Sequence, residues 1–344
     1  MRFFGRIVLV LFAVAAIGTA TYYWFKYRAA FTPNTGARQY IVILIPTGAL
    51  FQQVVDSLHV AGAVDDTAAF RWTAVKKKYT GRVKPGRYVI SPGSTNNDLV
   101  NKLRSGEQDP VRITFTNVKS LAQLAGRVAG YLECDSMAMW RAMSDRSSAS
   151  RFGFDQATFP AMFIPNTYEA WWTDTPEIFL QRMAREYKRF WTEERKAKAT
   201  ALNFSQSEVS TLASIVQAET ARTDDAPTIA GVYLNRLRIG MPLQADPTLV
   251  YALGLDSANR VLDVHKQVNS PYNTYLNKGL PPGPINLPEP RNIDAVLKAA
   301  SHDYLYFCAR EDLSGYSNFA RTYDQHLVNA RRYQRALNRR KIYR

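Results

Sequence analysis

The carboxyl group of Glu219 has the clearest means of doing acid–base chemistry in this sequence. It follows Leu212 by seven residues, Ile215 by four and Val216 by three. At 3.6 residues per turn, this spacing predicts a helix on which Glu219 shares a face with these apolar side chains. Loss of water around a carboxyl group disfavours its charged form and raises its pKa. Such an acid keeps its proton near neutral pH and can donate it to a leaving oxygen.

The helix that must position Glu219 has a clear start. Ser205 and Glu208 form a capping box, with serine at the N-cap and glutamate three residues later. We expect the helix to run to about Arg222. The alternative to a chemical role is that Glu219 ends an amphipathic helix and pairs with Arg222 or another cation.

Two further helices and three unusual loops follow. One helix is predicted from Pro227 to Gly240, and Asp246 with Pro247 is predicted to cap and open a short helix that ends at Gly254. The loops are rich in proline, amides and tyrosine: Met241–Thr248, Ser270–Tyr275 and Gly279–Ile285. Aromatic faces stack on sugar rings and amides bind their hydroxyls, so these loops fit a carbohydrate site, with ordinary surface turns as the alternative.

The basic charge of the chain is partly local. The net charge is +15, and no acidic residue follows Asp324. The C-terminal cations are Arg331, Arg332, Arg335, Arg339, Arg340, Lys341 and Arg344. Such a run is a solvated helix face or tail, or it contacts anionic lipid or acidic wall polymer. No nucleic-acid-binding motif accompanies it, so nucleic acid is not an expected partner.

Metal and cofactor chemistry have little support in the sequence. The four histidines have no metal-ligand spacing, and no nucleotide-binding or serine-hydrolase motif occurs. We therefore expect no metal and no cofactor. Cys134 and Cys308 form either a single disulfide in an oxidising compartment or two buried thiols.

The N-terminus predicts a membrane anchor. Ile7 to Phe25 is 19 residues without a charge, which as a helix nearly matches the ~30 Å hydrocarbon core. Its last four residues are aromatic, as is typical of a membrane interface. A cleaved signal peptide is the alternative, because Ala13 to Ala15 is a small-residue site. Basic residues flank both ends, so charge does not fix the orientation.

The downstream motifs resemble one family as an ordered set. The matching segments are Leu212–Thr220, Val232–Thr248, Tyr272–Tyr275, Gly279–Ile285, Leu305–Phe307 and Phe319–His326, with Pro165–Tyr168 upstream. They are similar to the YceG-like endolytic murein transglycosylases, the MltG family, and residues 40–106 resemble its LysM-like module. Some members carry glutamate where this chain has Gln217, which leaves Glu219 as the only acid of this motif.

The resemblance implies an α+β fold in four parts. These are an N-terminal transmembrane anchor (1–28), a small LysM-like α/β module (29–110), a mainly helical connecting region (111–204), and a mixed α+β catalytic domain with a basic tail (205–344). It also implies a single-pass protein of the inner cytoplasmic membrane, with its catalytic part on the periplasmic side. Peptidoglycan strands are the expected partner, and peptidoglycan synthases are further candidates.

The implied activity is lytic cleavage of the MurNAc–GlcNAc bond, which leaves a 1,6-anhydroMurNAc end and terminates strand elongation. Glu219 would protonate the leaving oxygen and then accept the proton of the substrate's own 6-hydroxyl. We predict that sugar groups are positioned by Gln244, Asn273 and Tyr275, with Thr220 beside them. Further residues are expected to bind substrate or brace the site: Asn235, Arg236, Asp246 and Thr248.

Two other functions remain open on the sequence. A muramidase that uses water would need a second carboxylate, with Asp246 or Glu169 as the candidates. A non-catalytic wall-binding scaffold would use the LysM-like module and the basic tail, and would not need Glu219.

Overall fold

The computed structural model describes residues 2–35, 38–220, 222–255 and 262–340. It is a mostly helical α+β protein, which confirms the predicted fold class at this level. The helices are α1 (Arg2–Phe31), α2 (Phe51–Val60), α3 (Thr67–Lys76), α4 (Asn96–Ser105), α5 (Leu121–Ala129), α6 (Ser136–Ser144), α7 (Arg146–Arg151), α8 (Pro176–Phe190), α9 (Glu193–Ala201), α10 (Gln206–Glu219), α11 (Ala226–Arg238), α12 (Asp246–Ala252), α13 (Pro290–Leu297) and α14 (Tyr323–Arg339). The strands β1 (Ile41–Ile45) and β2 (Gly86–Ile90), β3 (Val111–Phe115) and β4 (Asn166–Ala170), and β5 (Tyr306–Ala309) and β6 (Ser317–Ala320) form two-stranded sheets.

The chain divides into two compact units. The first comprises Met1–Arg112, Tyr131–Glu133 and Glu169–Thr175. The second comprises Ile113–Gly130, Cys134–Tyr168 and Pro176–Arg344. Cys134 and Cys308 both belong to the second unit, and both are partly buried thiols.

The first unit is built on the antiparallel β1–β2 pair, in which Ile43 lies opposite Tyr88. Helices α2, α3 and α4 pack around this pair, and their buried side chains include Leu58, Phe70 and Leu103. Helix α4 starts with a capping box at Thr95, and Gly106 ends it in the left-handed conformation.

Helix α1 continues directly into this unit. The Asn96 side chain donates a hydrogen bond to the Ala29 carbonyl at 2.7 Å, and the Lys26 ammonium lies 4.3 Å from the centre of the Trp72 ring. Among the described residues, one stretch, Arg6–Phe31, is long and apolar enough to cross a membrane. Signal sequences share these properties, so the choice between anchor and signal peptide stays a prediction.

Helix α10 is the central element of the second unit. All of its side chains from Val209 to Val216 are buried, which explains why so many small residues accompany the apolar ones. The predicted capping box at Ser205 is confirmed. The predicted end at Arg222 is wrong. The helix ends at Glu219, because Thr220 adopts an extended conformation and its hydroxyl accepts a hydrogen bond from the Arg222 amide.

The two following helices also differ in detail from prediction. Helix α11 begins at Ala226, with Pro227 in its first turn. The prediction that Asp246 caps α12 is wrong, because Ala245 occupies the N-cap position and Asp246 is the first helical residue. The carboxylate of Asp246 is instead used in a side-chain contact with Tyr275.

Candidate active site

Glu219 lies at the C-terminal end of α10. Its side chain is only partly exposed, and burial raises the pKa of its carboxyl group from 4.5 to about 7. This pKa is a net result: burial and the nearby charge of Asp246 raise it, whereas a hydrogen bond from Tyr233 and the charge of Arg236 lower it. Unpaired carbonyls give a helix C-terminus a partial negative charge, which also disfavours a carboxylate there. The group can therefore be a proton donor near neutral pH.

Tyr233 contacts Glu219 directly from α11. Its hydroxyl donates a hydrogen bond to Glu219 Oε1 at 2.7 Å, and its side chain is only 1% exposed. Arg236 follows one turn later and is also buried, which lowers the pKa of its guanidinium. It donates to the carbonyls of Leu305 at 2.7 Å and Leu243 at 2.6 Å, and so it ties two loops to α11.

Asp246 and Tyr275 form a second polar pair near Glu219. The Tyr275 hydroxyl donates to Asp246 Oδ1 at 2.5 Å. Below this pair, the buried Thr248 hydroxyl donates to the Ala245 carbonyl and lies 2.9 Å from the Thr274 hydroxyl. Thr248 therefore connects the first turn of α12 to the loop at residues 270–275.

The two predicted amides differ in their surroundings. Asn273 is fully buried, and its side chain donates to the carbonyls of Lys266 and Val268 and accepts from the Tyr275 amide. Its hydrogen bonds hold the loop that presents Tyr275. Gln244, by contrast, is exposed and has a left-handed backbone, with φ of +49°, which turns the chain before α12.

Asn235 and Thr220 have mainly local contacts. The Asn235 amide donates to the carbonyls of His302 at 2.7 Å and Tyr304 at 3.0 Å, which joins α11 to the segment before β5. The Thr220 hydroxyl shapes the turn after α10, and the residue lines a cavity next to Glu219.

That cavity has a volume of about 360 Å³. It is lined by Asn117, Gln217, Ala218, Glu219, Thr220, Thr223, Arg291 and Asn292. Gln217 serves as a structural anchor in its wall. Its carbonyl oxygen accepts from the Glu289 amide and from Asn292, both at 2.7 Å, and its NH₂ donates to Asn286 and to the Leu287 carbonyl.

The proline-rich loop is fixed against the same helix. The Ile285 amide donates to the Ser214 hydroxyl at 3.0 Å, and the Leu287 amide donates to the Val118 carbonyl at 3.0 Å. Gly283 touches the backbone of Ala157 so closely that any Cβ would collide with the Ala157 carbonyl. The loop is therefore held between α10 and the backbone at Val118 and Ala157.

Sequence reasoning missed several residues of this site. Tyr233, Arg291 and Asn292 were not singled out, although Tyr233 lies fourteen residues after Glu219, on the next helix. A possible signal for Tyr233 was its place three residues before the predicted Arg236, because that spacing puts both side chains on one helix face. Asn117 gave no comparable signal.

Comparison with known proteins identifies the family. The YceG-like family matches residues 43–332 of the chain. The chain belongs to the YceG-like family. This confirms the family inferred from the order of the motifs, and the match includes Glu219 and the other predicted site residues.

Curated relatives and a solved structure agree with this membership of the YceG-like family. The chain is 27% identical, over 88% of its length, to the endolytic murein transglycosylase of Streptococcus pneumoniae R6, and it spans 60% of that protein. It is 28% identical, over 83% of its length, to that of Bacillus subtilis, and it spans 82% of it. A crystal structure of a yceG-like protein from Listeria monocytogenes has a TM-score of 0.57 at 25% identity and covers 85% of this chain and 99% of that one.

Proposed function

We propose that this protein is an endolytic peptidoglycan lytic transglycosylase that cleaves MurNAc–GlcNAc bonds in nascent glycan strands. The observation that carries the proposal is the position of Glu219, whose partly buried carboxyl has a pKa of about 7 and lines a 360 Å³ cavity. The family membership and the relatives, which are endolytic murein transglycosylases by name, support the substrate class. Cleavage would leave 1,6-anhydroMurNAc ends and terminate strand elongation.

A single carboxyl suffices for this reaction. Protonated Glu219 donates its proton to the glycosidic oxygen as the C1–O bond breaks, which produces the hydroxyl of the leaving sugar. The substrate's own 6-hydroxyl then forms the new bond to C1, and its proton passes to the Glu219 carboxylate. The enzyme returns to its starting state without consuming water, whereas a hydrolase handles water with a second carboxylate.

The other predicted residues divide between contact and support. Tyr275, Gln244 and Thr220 are our candidates for contact with the sugars. Asn273, Thr248, Asn235 and Arg236 have hydrogen bonds to backbone or hydroxyl groups of the surrounding loops, and we assign them to holding the site in place.

The location of the reaction is also part of the proposal. Helix α1 would be a single membrane anchor of the inner membrane, with the catalytic unit on the periplasmic side, where its substrate lies. The first unit would be the LysM-like module, and peptidoglycan synthases would be partners. A reporter fused at the C-terminus should be active outside the cytoplasm; a cytoplasmic reporter would overturn this topology.

Digestion of purified glycan strands tests the activity. Wild-type protein should release fragments with 1,6-anhydroMurNAc ends, identified by mass spectrometry, and Glu219→Gln should reduce the rate by about 10²–10⁴-fold, as expected for loss of an acid–base group. Glu193→Gln, at an exposed ion pair on α9, is the matched control and should match wild type. Products with ordinary reducing ends would instead identify a hydrolase, and full activity of Glu219→Gln would reject Glu219 as the acid.

A further inference from the structure

The hydroxyl of Tyr233 is fixed in space by the packing of its ring. The ring lies edge-on to Phe307 of β5, with ring centres 5.9 Å apart and planes at 90°. Because the side chain is almost fully buried, the ring cannot swing away without leaving a void in the core. Its hydroxyl therefore has a set direction, toward Glu219 Oε1 at 2.7 Å.

This hydrogen bond makes the two oxygens of the Glu219 carboxyl unequal. A carboxyl oxygen that carries the acid proton is a weaker acceptor than the carbonyl oxygen, so a tyrosine hydroxyl that donates to Oε1 favours the form with the proton on the other oxygen. The acid proton is thereby directed to Oε2. We propose that Tyr233 is a positioning residue, which assigns the transferable proton of Glu219 to Oε2 and stabilises the carboxylate left when that proton departs. The inference rests on the proposed function.

The charge of the Glu219 carboxyl changes during the reaction. When Glu219 gives up its proton, a negative charge forms on a partly buried side chain, which is unfavourable unless the charge receives hydrogen bonds. A hydrogen bond to a charged acceptor is roughly twice as strong as one to a neutral acceptor. The Tyr233 contact therefore strengthens as the proton leaves, which is the kind of interaction that lowers a barrier.

Tyr233 itself keeps its proton throughout. Burial raises its pKa well above the usual value, and the charge of Glu219 raises it further. Other groups also face Glu219: Arg236 on the helix of Tyr233 and Asp246 on α12. Tyr275 contributes to the raised pKa of Tyr233. Arg291 lines the cavity and forms an ion pair with Glu289 at 2.8 Å. A change confined to the Tyr233 hydroxyl leaves all of these in place.

Tyr233→Phe tests the proposal, because it keeps the ring and its contact with Phe307. We expect kcat on glycan strands to fall by about tenfold with little change in KM. The pH at which activity is lost on the alkaline side should rise by about one pH unit, since the carboxylate has lost a stabilising bond. Tyr304→Phe, which keeps its stacking on Phe319, is the control and should reproduce the wild-type pH profile. A Tyr233→Phe profile that superimposes on wild type, or that is lower at every pH with the alkaline limb unmoved, overturns the proposal.

A direct titration separates this inference from the proposed activity. The full-length protein in detergent, labelled with ¹³C at the glutamate carboxyl carbons, is titrated by NMR, and Glu219→Gln identifies the Glu219 signal. The midpoint should rise in Tyr233→Phe and stay unchanged in Tyr304→Phe. An unmoved midpoint refutes the role of Tyr233 whatever the activity. If the midpoint rises in Tyr233→Phe but the wild-type protein leaves glycan strands intact, the role of Tyr233 is supported and the proposed function is rejected.

Discussion

The Tyr275 hydroxyl donates a hydrogen bond of 2.5 Å to Asp246, and Asp246 in turn raises the pKa of Glu219. The two residues are 29 positions apart in sequence, and their hydrogen bond connects the start of α12 to the loop that carries Tyr275. Asp246 therefore influences the pKa of Glu219 through its charge.

We expect Asp246→Asn to move the alkaline limb of the pH–rate profile to lower pH, by about half a pH unit, because a negative charge near Glu219 is removed. Activity at acidic pH should be largely retained. The measurement is kcat/KM on glycan strands from pH 5 to 9, with Asp303→Asn, an exposed residue, as control. Complete loss of activity at every pH would contradict this and would favour the hydrolase, in which Asp246 is the second carboxylate.

Stability should also report the raised pKa of Glu219. Below about pH 4.5 its carboxyl is neutral in both the folded and the unfolded chain. Between pH 4.5 and 7 only the unfolded chain ionises, so the stability that the neutral carboxyl contributes is lost as pH rises to 7. Glutamine does not ionise, so the free energy of unfolding of Glu219→Gln should increase relative to that of wild type by roughly 1–3 kcal/mol from pH 5 to pH 8. This is less than the full pKa difference would give, because the group is partly exposed.

Urea denaturation of both proteins at pH 5 and pH 8 measures that gain. Glu193→Gln, at the surface, should show no comparable change between the two pH values. If the unfolding free energies of Glu219→Gln and wild type differ by the same amount at both pH values, the fold does not raise the pKa of Glu219.

Gln217 should matter for stability rather than for proton transfer. Removing its side chain leaves the Glu289 amide and Asn292 without their acceptor, so we expect Gln217→Ala to lower the free energy of unfolding by about 2–4 kcal/mol. Gln217→Glu keeps the acceptor but loses both donated hydrogen bonds, and should cost about 1–3 kcal/mol without raising activity. Gln334→Ala on exposed α14 is the control for urea denaturation. A gain in activity in Gln217→Glu would show that this position can act as a second acid.

The helical spacing around Glu219 was sufficient to predict its buried face, because helix periodicity is a local property of the chain. The end of α10 was placed three residues too late, since the extended conformation of Thr220 comes from a turn that composition does not reveal. The contact between Tyr233 and Glu219 depends on how α10 and α11 pack together, and no local pattern encodes that packing. For Asn273, the residue type alone suggested sugar binding. In the fold its amide donates hydrogen bonds within its own loop, which residue type does not reveal.

Gly283 has a consequence for how this protein can change over evolution. Its loop lies directly on the Ala157 backbone, so the loop and the segment around Ala157 must fit each other closely. A recombination between relatives with its crossover near residue 204 would join a loop from one parent to a supporting wall from the other. We expect viable chimeras to take Ala157 and Gly283 from the same parent, so that the loop keeps the backbone that it fits.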